Sequence, residues 1–217
     1  MAKIKGNTAL VKALQAWDID HLYGIPGDSI DAVVDSLRTE RNSIEFVHVR
    51  HEEVASLAAA SYTKLTGKIG VALSIGGPGV VHLLNGMYDA QMDSVPQLIL
   101  AGQTDSTALG TKAFQETDIL KMVEGVAAYS RQITENDKDV FGIVNEAIRT
   151  AYEQKGVAVL VLPNNLLTQK VKDTTNTKVD TAPPARVNPK PRSIKKAAKL
   201  VNKSKRPVML LGTGAKH

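Results

Sequence analysis

IGVALSIGGPGVVHLLNGMYDAQMDSVPQLILAG, residues 69–102, decides the fold. Two short apolar runs, IGVALSI (69–75) and QLILAG (97–102), enclose a glycine-rich turn and a helical pattern. Neither run alternates polar with apolar residues, so both suit strands buried on two faces. A strand, a helix and a second strand at this spacing make a parallel crossover unit.

The same rhythm extends in both directions. Upstream lie HLYGI (21–25) and IEFVHV (44–49); downstream lies VAVLVLP (157–163). Between them, Leu10, Val11, Leu14 and Trp17, and again Ile30, Val33, Val34 and Leu37, recur at helical spacing. The turns agree. Asp28 or Ser29 can cap a helix after the first strand, and Thr66-Gly67 can end the helix that opens near Glu52. The expectation is an α/β domain: an open parallel sheet of five or six strands with helices on both faces.

Residues 1–170 make this domain. Residues 171–192, with prolines at 183, 184, 189 and 191, read as an interdomain linker. Residues 193–217 read as an amphipathic helix, a strand and a glycine-rich turn, the truncated start of a second α/β domain. Such a pair buries too little surface to be stable alone.

Composition narrows the function. There is no cysteine, so disulfides, thiolate metal sites and a cysteine nucleophile are excluded. Apolar residues at 43% and charged residues at 23% fit a globular domain. No apolar run approaches membrane-spanning length and the N-terminus lacks the pattern of a signal peptide, so a cytoplasmic location is expected. The net charge of +5 is uneven: residues 1–180 hold 17 basic and 22 acidic side chains, whereas the last 37 hold ten basic and no acidic ones. That excess lies in the linker and one helical stretch rather than on an aromatic-studded surface. No nucleic-acid partner is expected.

Several motifs are absent. No phosphate-binding loop, dinucleotide fingerprint following a strand of the first domain, or nucleophile elbow is present. His51-Glu52 begins a two-histidine zinc motif, but position 55 is Ala, and no metal site is expected. What remains is Glu52, at the end of a strand and the start of a helix. Ligands of parallel sheets bind beyond the strands' carboxyl ends. A carboxylate partly desolvated there can have a raised pKa and exchange a proton with a bound ring. Position alone fits a first-turn acid stabilised by the helix dipole at least as well, and Glu53 is read that way. The turns at 24–29 and 76–79 permit close backbone approach. His82 and Asn85 share one helix face.

Taken in order, YGIPGDSIDAVVDSL, VRHEEVASLAAASYTKLTGKIGVALSIGGPGVVHLLNGMYDA and GTKAFQETDI resemble the pyrimidine-binding domain of thiamine-diphosphate enzymes, and within them the bacterial pyruvate oxidases that make acetate and pass electrons to quinone. Acetolactate synthases share the Gly-Pro-Gly and Ala-Phe-Gln-Glu elements. Arg50-His51-Glu52-Glu53 leans toward pyruvate oxidase, and Asp28, where some oxygen-dependent members have Gly, leans toward the quinone-linked type. The resemblance implies that Glu52 hydrogen-bonds the cofactor's aminopyrimidine and promotes loss of the thiazolium proton. Pyruvate is then decarboxylated and FAD takes up two electrons. It further implies that Pro26, Gly27, Gly77, Pro78 and Asn85 line the pyrimidine side, and that His82, Phe114 and Gln115 face substrate and flavin. Mg²⁺ and most FAD contacts would lie outside this chain. The domain would self-associate as a homodimer or homotetramer, with peripheral membrane contact to reach quinone. The chain alone would then be inactive.

Overall fold

Residues 97–103 and 157–163 are buried at every position, and 70–74 likewise, because each strand lies between two helical layers. In the computed structural model, which describes residues 2–40, 44–181 and 188–212, they form the centre of a six-stranded parallel sheet. In chain order the elements are β1 (Lys3–Lys5), α1 (Gly6–Ala16), β2 (His21–Gly24), α2 (Asp31–Thr39), β3 (Glu45–His48), α3 (Glu52–Thr66), β4 (Gly70–Ser74), α4 (Pro78–Met92) and β5 (Gln97–Gln103). They continue with α5 (Ile119–Val123), β6 (Ala127–Gln132), α6 (Val140–Gln154), β7 (Val157–Pro163), α7 (Asn164–Leu167), β8 (Lys170–Lys172) and α8 (Pro191–Lys203). The sheet order is β3-β2-β4-β5-β7-β6.

Alternate residues of each central strand enter different cores. Val71, Leu73, Leu98, Leu100, Ala158 and Leu160 pack with α1, α2 and α6. Ala72, Ile99, Ala101, Val157, Val159 and Val161 pack with α3, α4 and α5. This two-sided burial is why the strands read as continuous apolar runs. From β2 the chain moves outward to β3, then returns to β4 on the other side of β2. The crevice at the carboxyl ends of β2 and β4 is therefore a topological switch point, where open α/β sheets bind ligands.

The helices α3 and α4 pack against each other at close range. Gly86 makes this possible: a Cβ there would stand 2.4 Å from the Ser56 carbonyl carbon and 2.5 Å from the Leu57 nitrogen. The ends of the domain also meet. β1 pairs antiparallel with β8, Lys3 opposite Lys172 and Lys5 opposite Lys170.

The structure departs from the sequence reading in several places. The strand β6 was absent from that reading, because it is an edge strand whose exposure alternates. Neither Asp28 nor Ser29 caps α2: both lie in a 3-10 turn, and the Ser29 hydroxyl accepts instead from the Gly76 N–H at 3.0 Å. The first compact unit runs to Ala182 rather than 170, since β8 and its sequel are tied down, Thr174 donating to Asp139. The second unit contains the amphipathic helix α8, but Val208–Leu211 forms no strand. A strand needs a hydrogen-bonded neighbour, and these residues have none among the described residues. The glycine-rich turn expected after it lies mostly outside them. Among the described residues, no helix is long and apolar enough to cross a membrane.

Candidate functional site

The site is built where β2, β3 and β4 end. β3 leaves the sheet beside β2, with the Val49 N–H donating to Gly24 O at 3.1 Å. The chain then turns at His51, whose extended backbone (φ −156°, ψ 139°) and side chain cap α3, Nδ1 accepting from the Glu53 N–H. Glu52 and Glu53 thus fall in the first helical turn, where the helix dipole favours negative charge.

Each of these acids is held by α4. That helix opens at Gly77, with Pro78 at its first position, where a missing N–H costs nothing. One turn on, His82 Nδ1 lies 2.9 Å from Glu52 Oε2. A carboxylate can only accept, so Nδ1 carries the proton. Three residues later the Asn85 amide donates to Glu53 Oε1 at 2.7 Å. His82 and Asn85 share a face and grip two successive acids. Glu52 is the more shielded, its side chain 13% exposed against 42% for His82.

The acidity of Glu52 is opposite to the expectation. Burial alone raises its pKa, but the hydrogen bond from His82, a backbone hydrogen bond and the nearby charges of His82 and His51 outweigh it. The net shift is downward, which favours the Glu52 anion. Sequence reasoning weighed desolvation and could not see the imidazoles that counter it.

Opposite this pair, the turn after β4 meets the loop after β5. Gly77 has φ +59°, and a Cβ there would lie 2.8 Å from Gln115 O. Only glycine allows that approach at this backbone angle. Gln115 itself adopts φ +62°. Its loop is pinned by Glu116, which accepts from the Gly110 and Ala113 N–H groups. Phe114 at its tip is 85% exposed. On the β2 side, Gly27 abuts Ile75 and Pro26 is exposed. The structure therefore joins Glu52 to His82 and Gln115 to Gly77, while no hydrogen bond links Pro26 or Phe114 to Glu52.

His51 is the residue that sequence reasoning set aside. Its ring stacks on that of His82 at 4.3 Å between centroids. The partner is 31 residues away on another helix, so a motif search along one helix cannot find it. Two clefts lie elsewhere. One runs between Trp17, Asn145 and Arg149 and the segment 174–180; the other lies beside residues 109–120. At the carboxylate site Glu52 is shielded while His51 and His82 are partly exposed.

Comparison with known proteins gives this geometry a context. Residues 4–122 match the family described as thiamine pyrophosphate enzyme, N-terminal TPP binding domain. A Bacillus subtilis protein, YdaP, provisionally named as thiamine pyrophosphate-containing, is 45% identical over the whole chain, which covers 38% of that relative. A pyruvate oxidase of Lactiplantibacillus plantarum is 45% identical over 77% of the chain and 28% of its own length. An acetolactate synthase of Mycobacterium leprae is 34% identical over 98% of the chain and 34% of its own length. The chain thus spans about a third of the length of these curated relatives.

Proposed function

We propose, on the premise that the chain belongs to the thiamine pyrophosphate enzymes through their N-terminal binding domain, that it is the pyrimidine-binding part of a pyruvate oxidase. The complete protein would decarboxylate pyruvate oxidatively to acetate and CO₂, with electrons passing through FAD to a quinone. The observation that carries this reading is Glu52, an anionic carboxylate held by His82 beyond the carboxyl ends of the strands.

The residues present fit the aminopyrimidine end of thiamine pyrophosphate. A shielded carboxylate offers an acceptor to a protonated ring nitrogen. Gly77 leaves backbone room at the switch point. When bound, the cofactor supplies the carbon nucleophile and the electron sink for decarboxylation of a keto acid. Glu52 would accept a hydrogen bond from the ring and so govern where its proton rests. His82 holds Glu52 in place and, with Gln115 and Phe114, faces the substrate and flavin side. Gly27, Pro26, Pro78 and Asn85 shape the pyrimidine side. Mg²⁺ and most contacts to FAD would belong to parts of the protein beyond this chain.

The pyruvate oxidase reading is favoured over an acetolactate-synthase reading by identity, 45% against 34%. The products separate them: acetate for the first, acetolactate for the second, acetyl phosphate for an oxygen-dependent oxidase. The test is Glu52→Gln in the full-length protein. Flavin reduction by pyruvate should fall by about 10²–10⁴-fold, the range for loss of a proton-transfer group. Undiminished reduction would leave the domain an assembly module only.

Self-association is part of the proposal. Val54, Leu57 and Leu65 on α3 and Val81, Tyr88 and Met92 on α4 expose apolar surface on two helices that pack together. A second copy of the domain covers them, giving a homodimer or homotetramer of the complete enzyme. Tyr88→Lys with Met92→Lys should lower the sedimentation mass toward that of one chain. A mass unaffected by both would refute this surface. The enzyme works in the cytoplasm, with peripheral membrane contact where quinone is reached, and without a nucleic-acid partner.

A further inference from the structure

We infer that His51, Glu52 and His82 form a binding site for a divalent transition-metal ion, Zn²⁺ being the best match. Each offers a ligand atom, and these atoms all lie within 4.8 Å of one another. A tetrahedral ion with ligands at about 2.0–2.2 Å sets its ligand atoms roughly 3.3–3.6 Å apart. Side-chain rotation of the two histidines closes that gap. They have the freedom to rotate, their side chains being 48% and 42% exposed. The backbone on which they turn is held at the start of α3 and in the second turn of α4, and rotation of His51 gives up its 3.3 Å bond from the Glu53 N–H.

The donor set selects the ion. Two imidazoles and one carboxylate suit Zn²⁺, Co²⁺, Ni²⁺ or Cu²⁺ and disfavour Mg²⁺ and Ca²⁺, which prefer all-oxygen shells. Three protein ligands leave a fourth position for water, and the site is open to solvent for entry. Binding replaces the proton now shared between His82 Nδ1 and Glu52 Oε2. The ligands must be deprotonated, so the ion competes with the hydrogen bond that now joins His82 to Glu52. The consequence for Glu52 rests on the function proposed above: a metal-bound carboxylate is lost to the cofactor ring, so metal and cofactor exclude each other. Metal binding itself is independent of that reading.

The test is calorimetric titration of the untagged 217-residue chain with ZnCl₂, and with CoCl₂ followed by visible absorption. One ion per chain should bind in the micromolar range, and Co²⁺ should show the intensified bands of a four- or five-coordinate site. His51→Ala and His82→Ala should each weaken binding about tenfold or more, and the double variant should abolish it. His21→Ala should leave it unchanged. Matching circular dichroism melts of His82→Gln and the natural chain would show that lost binding is not lost folding. Absence of saturable binding up to millimolar Zn²⁺, or binding retained by the double variant, would overturn the site. Either result would leave the cofactor role of Glu52 to be judged by flavin reduction alone.

Discussion

Replacing Gly86 by Ala isolates the contact on which the carboxylate site depends. In an isolated helix this change stabilises by about 1 kcal/mol, because Ala is the better helix former. Here the added methyl would meet the Ser56 carbonyl carbon and hydroxyl at 2.4 Å and the Leu57 nitrogen at 2.5 Å. Ordinary contact is about 3.5–4.0 Å, so α3 and α4 must part by roughly 1 Å. Two of the three atoms are backbone, and no side-chain rotation relieves them. Overpacking of this kind costs about 1–3 kcal/mol, and the backbone clash places it at the upper end. The net loss is then about 2 kcal/mol. For a domain of this size that lowers Tm by roughly 4–8 °C. Thermal unfolding followed by circular dichroism measures it. A Tm equal to or above the natural protein's would refute the argument. So would restoration of Tm by adding Ser56→Gly, since that would mean the clash was with a movable hydroxyl.

Two other perturbations test the frame around the site. Ser29→Ala removes the acceptor of the part-buried Gly76 N–H; orphaning it should cost about 1–2 kcal/mol in urea unfolding and speed hydrogen exchange at Gly76. Unchanged exchange would show the bond to be dispensable. At the opposite end of the sheet, burial of Asp20 is outweighed by hydrogen bonds from Tyr62, His21 and Lys68, which hold its carboxyl down at about 2; burial, together with the bond to Asp20 and its charge, pushes the Tyr62 hydroxyl up to about 12. A depressed carboxyl stabilises the fold above its unfolded value, near 4, and that contribution fades as pH falls toward 2. Asp20 is 40% exposed, so solvent screening limits the effect to on the order of 1 kcal/mol or less. Asp20→Asn should therefore melt below the natural protein at pH 6 and alongside it near pH 2. A gap independent of pH would refute the charge argument.

The parts of the fold legible in the sequence are those whose burial is two-sided. β4, β5 and β7 announce themselves because every residue must be apolar or satisfied. β6 does not, since its edge position exposes Ala128 and Ser130 and lets polar residues alternate with half-buried ones. β1 and β8 read as charged tripeptides, and only their pairing makes them strands. At the site, the place of Glu52 beyond a strand followed from the order of elements. Its acidity did not, because His82 reaches it from another helix. Nor did His51 as a neighbour of His82, because the only search available along the chain asked about position 55. The cap at Ser29 failed for the same reason: its hydroxyl answers a partner 47 residues away.

The pairing of β1 with β8 bears on how the chain comes into being. Lys3–Lys5 is made long before its partner Lys170–Lys172, which comes near the end of the domain. At about 5–20 residues per second, the first strand waits roughly 10–30 s before its complement exists. Strands β2 to β6 are made in that interval, but the six-stranded sheet stays open until its inner strand β7 follows, just ahead of β8. Joining β1 to β8 is then among the last steps in building the domain, and a nascent chain ending before residue 170 would hold β1 still unpaired.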